Sequence, residues 1–152
     1  MAKRTVLKPP PARRPAGRGA AAPKSTKKKV LASAGAALPV GPYSQGIQAG
    51  GFIFVAGEKG IDPKTNQIVP GGIVAETRQT LENIQAILAA AGASLDDAVA
   101  VTVHMTDLAE FQAMNQVYAE YFRSAPPGRT TVQVTALPAG AHIEITVTAI
   151  AR

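Results

Sequence analysis

A chain of 152 residues has room for one domain with a single core. It has no cysteine, two histidines and no apolar run near the ~20 residues that cross a bilayer, which excludes disulfide frameworks, thiolate metal sites, histidine-rich clusters and a spanning helix. The net charge of +6 lies wholly in the first 29 residues, which carry ten Lys and Arg, five Pro and no acid, while from Val30 six basic residues face ten acidic ones.

That composition predicts a disordered basic tail over residues 1–29 and a folded domain over residues 30–152. The tail lacks the apolar stretch of a secretion signal, and the expected location is cytoplasmic. Two other readings of the tail stay open. It is Arg-rich and acid-poor, as organellar targeting segments are, and it could make weak phosphate contacts with a nucleic acid.

Ile47–Ala49, Gly50-Gly51 and Phe52–Ala56 predict a hairpin around a glycine turn. Gly57–Gly72 is turn-rich and predicts a long surface connection. Leu81, Ile84, Leu88 and Ala91 recur at helical spacing, which predicts a helix from about Val74 to Ala91 with Gly92 beyond its end. Ala98–Met105 alternates, with Val99, Val101, Val103 and Met105 expected on one buried face. Asp107 and Glu110 have the spacing of a capping box before a second helix, whose stripe is Phe111, Met114, Tyr118 and Tyr121. Thr130–Thr135 and His142–Ile150 predict two closing strands.

The order ββαβαββ implies an α+β fold, a mixed sheet with both helices on one face. In the last strand Ile143, Ile145, Val147 and Ala149 suit the helix layer. His142, Glu144, Thr146 and Thr148 point the other way, a face suited to contact with other subunits of a homo-oligomer.

Arg129 and Glu144 stand out as the candidate site. They are symmetric about a point between Ala136 and Leu137, so a hairpin in that register sets them opposite each other. Cross-strand neighbours have Cβ atoms about 5 Å apart, close enough for a guanidinium to grip a small carboxylate while a carboxylate places a water. The bland alternative is a cross-strand salt bridge. His104 reads as a satisfied buried histidine, His142 as a polar residue at a subunit interface with a second acid/base as the alternative, and Asp96-Asp97 as a turn or helix start. Gly41-Pro42-Tyr43-Ser44-Gln45-Gly46 reads as a rigid turn presenting a phenol, a hydroxyl and an amide.

From about Ala37 to Arg152 the chain resembles the RidA/YjgF family of reactive-intermediate deaminases. The resemblance is carried by Gly41-Pro42-Tyr43-Ser44-Gln45, Phe54-Val55-Ala56-Gly57, Asp62-Pro63-Lys64-Thr65, Gln79-Thr80-Leu81-Glu82-Asn83-Ile84, the Arg129 segment, Leu137-Pro138 and Ile143-Glu144-Ile145. It implies a chorismate-mutase-like fold, homotrimers with sites in the clefts between subunits, and hydrolysis of 2-imino acids to 2-keto acids and ammonia without metal or cofactor. It also implies that Arg129 binds the substrate carboxylate, Glu144 attends the attacking water, Tyr43 closes the pocket, and Asn115 and Gly57 line it. Thr131 stands where many members carry cysteine, leaving backbone atoms for a substrate contact there, and Ala56 stands where serine is common. Two rival functions remain at this stage: a non-catalytic trimer that binds a small acid, and an RNA-binding or ribonuclease protein using the basic tail.

Overall fold

The computed structural model describes residues 27–152. Strands β1 (Lys29–Leu31), β2 (Gly46–Ala49) and β3 (Phe52–Lys59) form an antiparallel meander. Lys29, which composition assigns to the tail, thus opens the first strand opposite Gln48. The two-residue turn uses Gly50 and Gly51, both at positive φ, where glycine has no steric penalty. In place of the expected plain connection, β4 (Ile61–Asp62) and β5 (Gln67–Ile68) pair as a small separate hairpin. Helix α1 (Gly72–Ala89) follows, then β6 (Ala98–Met105), α2 (Phe111–Tyr121), β7 (Gly128–Gln133) and β8 (Ile143–Ile150).

The main sheet has the order β1-β2-β3-β8-β6-β7, with β6 and β7 parallel and every other pair antiparallel. Both helices lie on one face, the expected α+β arrangement. Ile53, Val55, Val101, Val103, Met105, Ile143, Ile145, Val147 and Ala149 turn toward Leu81, Ile84, Leu88 and Met114, and all are buried. Burial of that apolar surface is the dominant stabilising term. Among the described residues, no helix is long and apolar enough to cross a membrane.

The expected β7–β8 hairpin does not form, because β8 inserts between β3 and β6 and leaves β7 at the edge. The side chains explain the order. In β8 every second residue is fully buried, which suits a central strand, whereas β7 exposes Thr130, Val132 and Gln133. The parallel β6–β7 pair also needs a crossover, and α2 supplies it.

Two bulges redirect side chains. At the start of β6, Ala98 takes the core position opposite Ala149 and Val99 is 41% exposed, so Val99 does not join Val101, Val103 and Met105. In β3 the register shifts between Val55 and Glu58. Glu58 thereby falls opposite Ile145 on the helix side, and Lys59 falls opposite Glu144 on the other face. The tail expected over residues 1–29 lies, for residues 1–26, outside the described residues.

Candidate active site

The sheet face away from the helices carries one half of the candidate site. Glu144 pairs with Lys59 on β3 and with His104 on β6, so the three side chains form a row across the central strands. Lys59 Nζ donates to Glu144 Oε2 at 3.0 Å and to the Gly57 carbonyl at 3.0 Å. His104 Nδ1 lies 3.9 Å from Glu144 Oε1, too far for a hydrogen bond, and is buried without a partner among the described residues. His104 is therefore not the satisfied core histidine the sequence suggests. Lys59 escapes sequence reading because the β3 bulge is invisible there; a regular strand would aim Glu58 at Glu144 instead.

Gly57 is required by close approach. A Cβ at this position would sit 2.7 Å from Glu144 Cδ and 2.8 Å from its Oε1. Tyr43 comes from the loop before β2, where the Val40 amide donates to its hydroxyl at 3.2 Å and the ring folds back over Gly41. Val40, Tyr43, Ala56, Gly57, Lys59, Pro138 and Glu144 line an open cleft of about 270 Å³.

Gln45, expected to present its amide from the same loop, is turned inward and buried. It accepts from the Ser33 amide at 2.7 Å and donates to the carbonyls of Ser33, Ala36 and Ala37. The Gly41–Gly46 turn thus offers the phenol of Tyr43 while its amide holds the preceding segment.

The other half lies on the helix side, at the β7 edge. The Arg129 guanidinium carbon stands 4.5 Å over the Tyr118 ring and 5.7 Å from the Phe111 ring, a cation–π stack from below. Its Nη2 donates to Asn115 Oδ1 at 2.8 Å. Thr131, two residues along the edge strand, has a buried hydroxyl without a hydrogen-bond partner among the described residues. Burial pushes the Tyr118 phenol up to about 12, opposed by the Arg129 charge. Tyr118, read as plain core, is therefore also the platform for the arginine. The fixed fork with donors to spare suits a carboxylate.

Arg129 and Glu144 do not meet within one chain. Arg129 is in register with Val101 and Glu144 with His104, on opposite sides of β6. Cross-strand partners share a face. Arg129 therefore points with Val101 toward the helices, and Glu144 with His104 away from them. Two strand spacings and three residues of rise separate their Cα atoms by roughly 14 Å. The cross-strand site expected from their symmetry, and equally the cross-strand salt bridge, are overturned by the insertion of β6 between the two strands. The structure brings together Arg129, Asn115 and Thr131, and separately Tyr43, Gly57 and Glu144.

His142 also departs from expectation. It precedes β8 and turns to the helix side, where Nδ1 bonds Glu76 Oε1 and its backbone amide donates to Glu76 Oε2 at 2.8 Å. Asp96-Asp97 is a turn, as expected, with the Asp97 carboxylate accepting from Ser94 N at 2.8 Å. A larger groove of about 470 Å³ between the helices contains Arg78, whose two terminal nitrogens bond Glu120 at 2.7 and 3.1 Å.

Residues 33–151 match the model of the family described as Endoribonuclease L-PSP. The chain belongs to this family, the RidA/YjgF family of the sequence resemblance. It is 53% identical over 118 residues to a RutC family protein of Pyrococcus horikoshii, covering 78% of this chain and 94% of that one. It is 41% identical over 118 residues to a mouse protein named 2-iminobutanoate/2-iminopropanoate deaminase, covering 78% and 87%. Among solved structures, Escherichia coli TdcF with bound serine superposes with a TM-score of 0.78 at 35% identity, over 82% of this chain and 99% of that one. A putative endoribonuclease of Thermotoga maritima gives 0.79 at 41% identity, over 82% and 98%. These relatives share the RidA/YjgF fold, the mixed sheet with its helices on one face.

Proposed function

We propose that this RidA/YjgF protein hydrolyses 2-imino acids such as 2-iminopropionate or 2-iminobutyrate to 2-keto acids and ammonia, at sites completed between two copies of the chain in a homotrimer. The observation that carries this reading is the separation of two complementary half-sites on opposite faces of one sheet. Arg129, held by Asn115 and stacked on Tyr118, is a carboxylate fork at an edge strand. Glu144, with Gly57 and Tyr43, borders a cleft on the uncovered face. A partner that docks its β7 edge beside this cleft supplies the missing arginine. The uncovered face also exposes Phe52, Phe54 and Ile150, apolar surface suited to a protomer contact. Mammalian relatives named deaminases support the same chemistry.

In the reaction, the partner's Arg129 fork holds the substrate carboxylate and fixes the C=N carbon over the cleft. Water attacks this carbon and gives its proton to Glu144, forming a neutral carbinolamine. The C–N bond then breaks as the nitrogen takes that proton back, and the hydroxyl proton leaves with ammonia as ammonium. An iminium carbon is already electrophilic, so orientation and a placed base suffice.

Mixing two dead variants tests the shared site. Arg129→Ala and Glu144→Gln proteins, each assayed alone with imine generated in situ and a semicarbazide trap, are expected to be inactive. Unfolded and reassembled together, they regain a substantial fraction of wild-type activity, because some sites pair an intact Arg129 with an intact Glu144. Inactive mixtures whose mixed assembly is verified by mass spectrometry contradict the two-copy site, and an active Glu144→Gln protein contradicts the mechanism.

A further inference from the structure

We propose that Lys59 is a positioning residue for Glu144: it ties down the carboxylate oxygen Oε2 and leaves Oε1 as the oxygen that handles water. This inference rests on the reading of the Glu144 cleft as the hydrolytic half-site.

A lysine that is 6% exposed must satisfy its ammonium within the protein. Two of its three N–H donors are spent, one on Glu144 Oε2 and one on the Gly57 carbonyl, both at 3.0 Å. Gly57 thus acts on Glu144 twice. Position 57 abuts Cδ and Oε1 of the carboxyl group, and its carbonyl anchors the ammonium that bonds Oε2. The glutamate is clamped in one rotamer between β3 and its own strand. The β3 bulge makes this possible, because it turns Lys59 and not Glu58 toward the cleft.

Oε1 has a different environment. It has no hydrogen-bond donor among the described residues, and it faces the unpartnered His104 Nδ1 across 3.9 Å. The row therefore divides the labour of the carboxylate: one oxygen is immobilised by Lys59, and the other is free for the water that must reach the imine carbon. A pair that served only to tie β3 to β8 would give no reason for the second oxygen to be left open beside an unspent histidine nitrogen.

Steady-state deamination by the intact protein tests this, with Lys59→Met, Lys59→Arg and Glu144→Gln. Lys59→Met is expected to lower kcat about ten- to a hundredfold with KM within about twofold, since a misplaced catalytic group costs rate more than binding. Lys59→Arg is expected to recover part of that loss. If Lys59→Met does not fold, Lys59→Gln is measured in its place. Unchanged kcat in the Lys59 variant with Glu144→Gln inactive overturns the role of Lys59 and leaves the deaminase reading standing. Activity in Glu144→Gln, or none in the wild-type protein, overturns both.

Discussion

Gly57 and Glu144 are packed so closely that the glutamate carboxyl occupies the space where a side chain at position 57 would begin, 2.7 Å from an ideal Cβ. Lys59 holds the carboxylate through Oε2 at 3.0 Å, so it cannot swing away freely. Gly57→Ala should therefore displace Glu144 by roughly 1 Å and lower kcat by up to about a hundredfold while the protein still folds. Gly60→Ala makes an instructive control. Its Cβ would meet the Glu76 Cα at 2.5 Å, helix backbone that has no rotamer to yield. That substitution should cost stability of about 1–3 kcal/mol, read from urea midpoints.

Arg129 offers a second test. Its guanidinium is stacked on Tyr118 and oriented by Asn115, so its geometry matters as much as its charge. Arg129→Ala should abolish measurable deamination. Arg129→Lys should keep the charge, lose the two-point grip and retain about 1% of activity or less, an effect of roughly 3 kcal/mol on kcat/KM. Near-normal rates in Arg129→Lys would mean that a point charge is enough.

Gln45 holds the segment before the Tyr43 loop through four hydrogen bonds to Ser33, Ala36 and Ala37. Gln45→Leu keeps the approximate volume but strands those backbone groups. The expected loss is about 2–4 kcal/mol, from more than one buried polar group left unpaired. Thermal melting should show it, together with raised KM as Tyr43 loses its support.

Helix α1 and strand β8 were legible in the sequence because their signals are local: Leu81, Ile84 and Leu88 at helical spacing, and Ile143, Ile145, Val147 and Ala149 at every second position. Each of these is buried as the period requires. Strand order was not legible. Symmetry of Arg129 and Glu144 about a loop suggested a hairpin, yet long-range competition for the sheet centre placed the more apolar β8 between β3 and β6 and left β7 on the outer side of β6. Bulges defeated local reading too, since one extra residue at Ala56-Gly57 exchanges the faces of Glu58 and Lys59 and another at Val99 removes it from the core. The site residues marked by family motif were individually recognisable. That they divide between two faces of the sheet depends on topology, which single residues do not encode.

His142 and Glu76 give a pH-dependent clasp between the start of β8 and α1. The Glu76 carboxylate, 1% exposed, hydrogen-bonds the imidazole and holds the His142 pKa above its ordinary value; its charge adds to this, burial opposes, and Glu110 contributes weakly in the same direction. A raised folded pKa means stability that is present below the unfolded value and lost as pH rises through the folded one. His142→Gln should therefore be destabilised relative to wild type at pH 5.5 more than at pH 9, compared by urea midpoints. An equal gap at both pH values would show that the imidazole charge contributes nothing to the clasp.

Glu58 should act on stability at lower pH and through burial. It is 6% exposed on the helix side of β3, and burial pushes its carboxyl up to about 7, partly offset by Lys59 and reinforced by Glu144. An unfolded chain ionises this group near 4.5, the ordinary glutamate value. Between the two values the folded protein holds the proton that the unfolded chain has released, so folding stability falls as pH rises through this window. Across it the group costs up to roughly 3 kcal/mol, about 1.4 kcal/mol per pKa unit. Glu58→Gln keeps the shape and the neutral form at every pH. The variant should match wild type at pH 4.5 and exceed it by about 2–3 kcal/mol at pH 8 in urea unfolding. A wild-type protein equal to Glu58→Gln at pH 8 would mean that Glu58 is stabilised as the anion, and that the Lys59 ammonium serves Glu58 more than it serves Glu144.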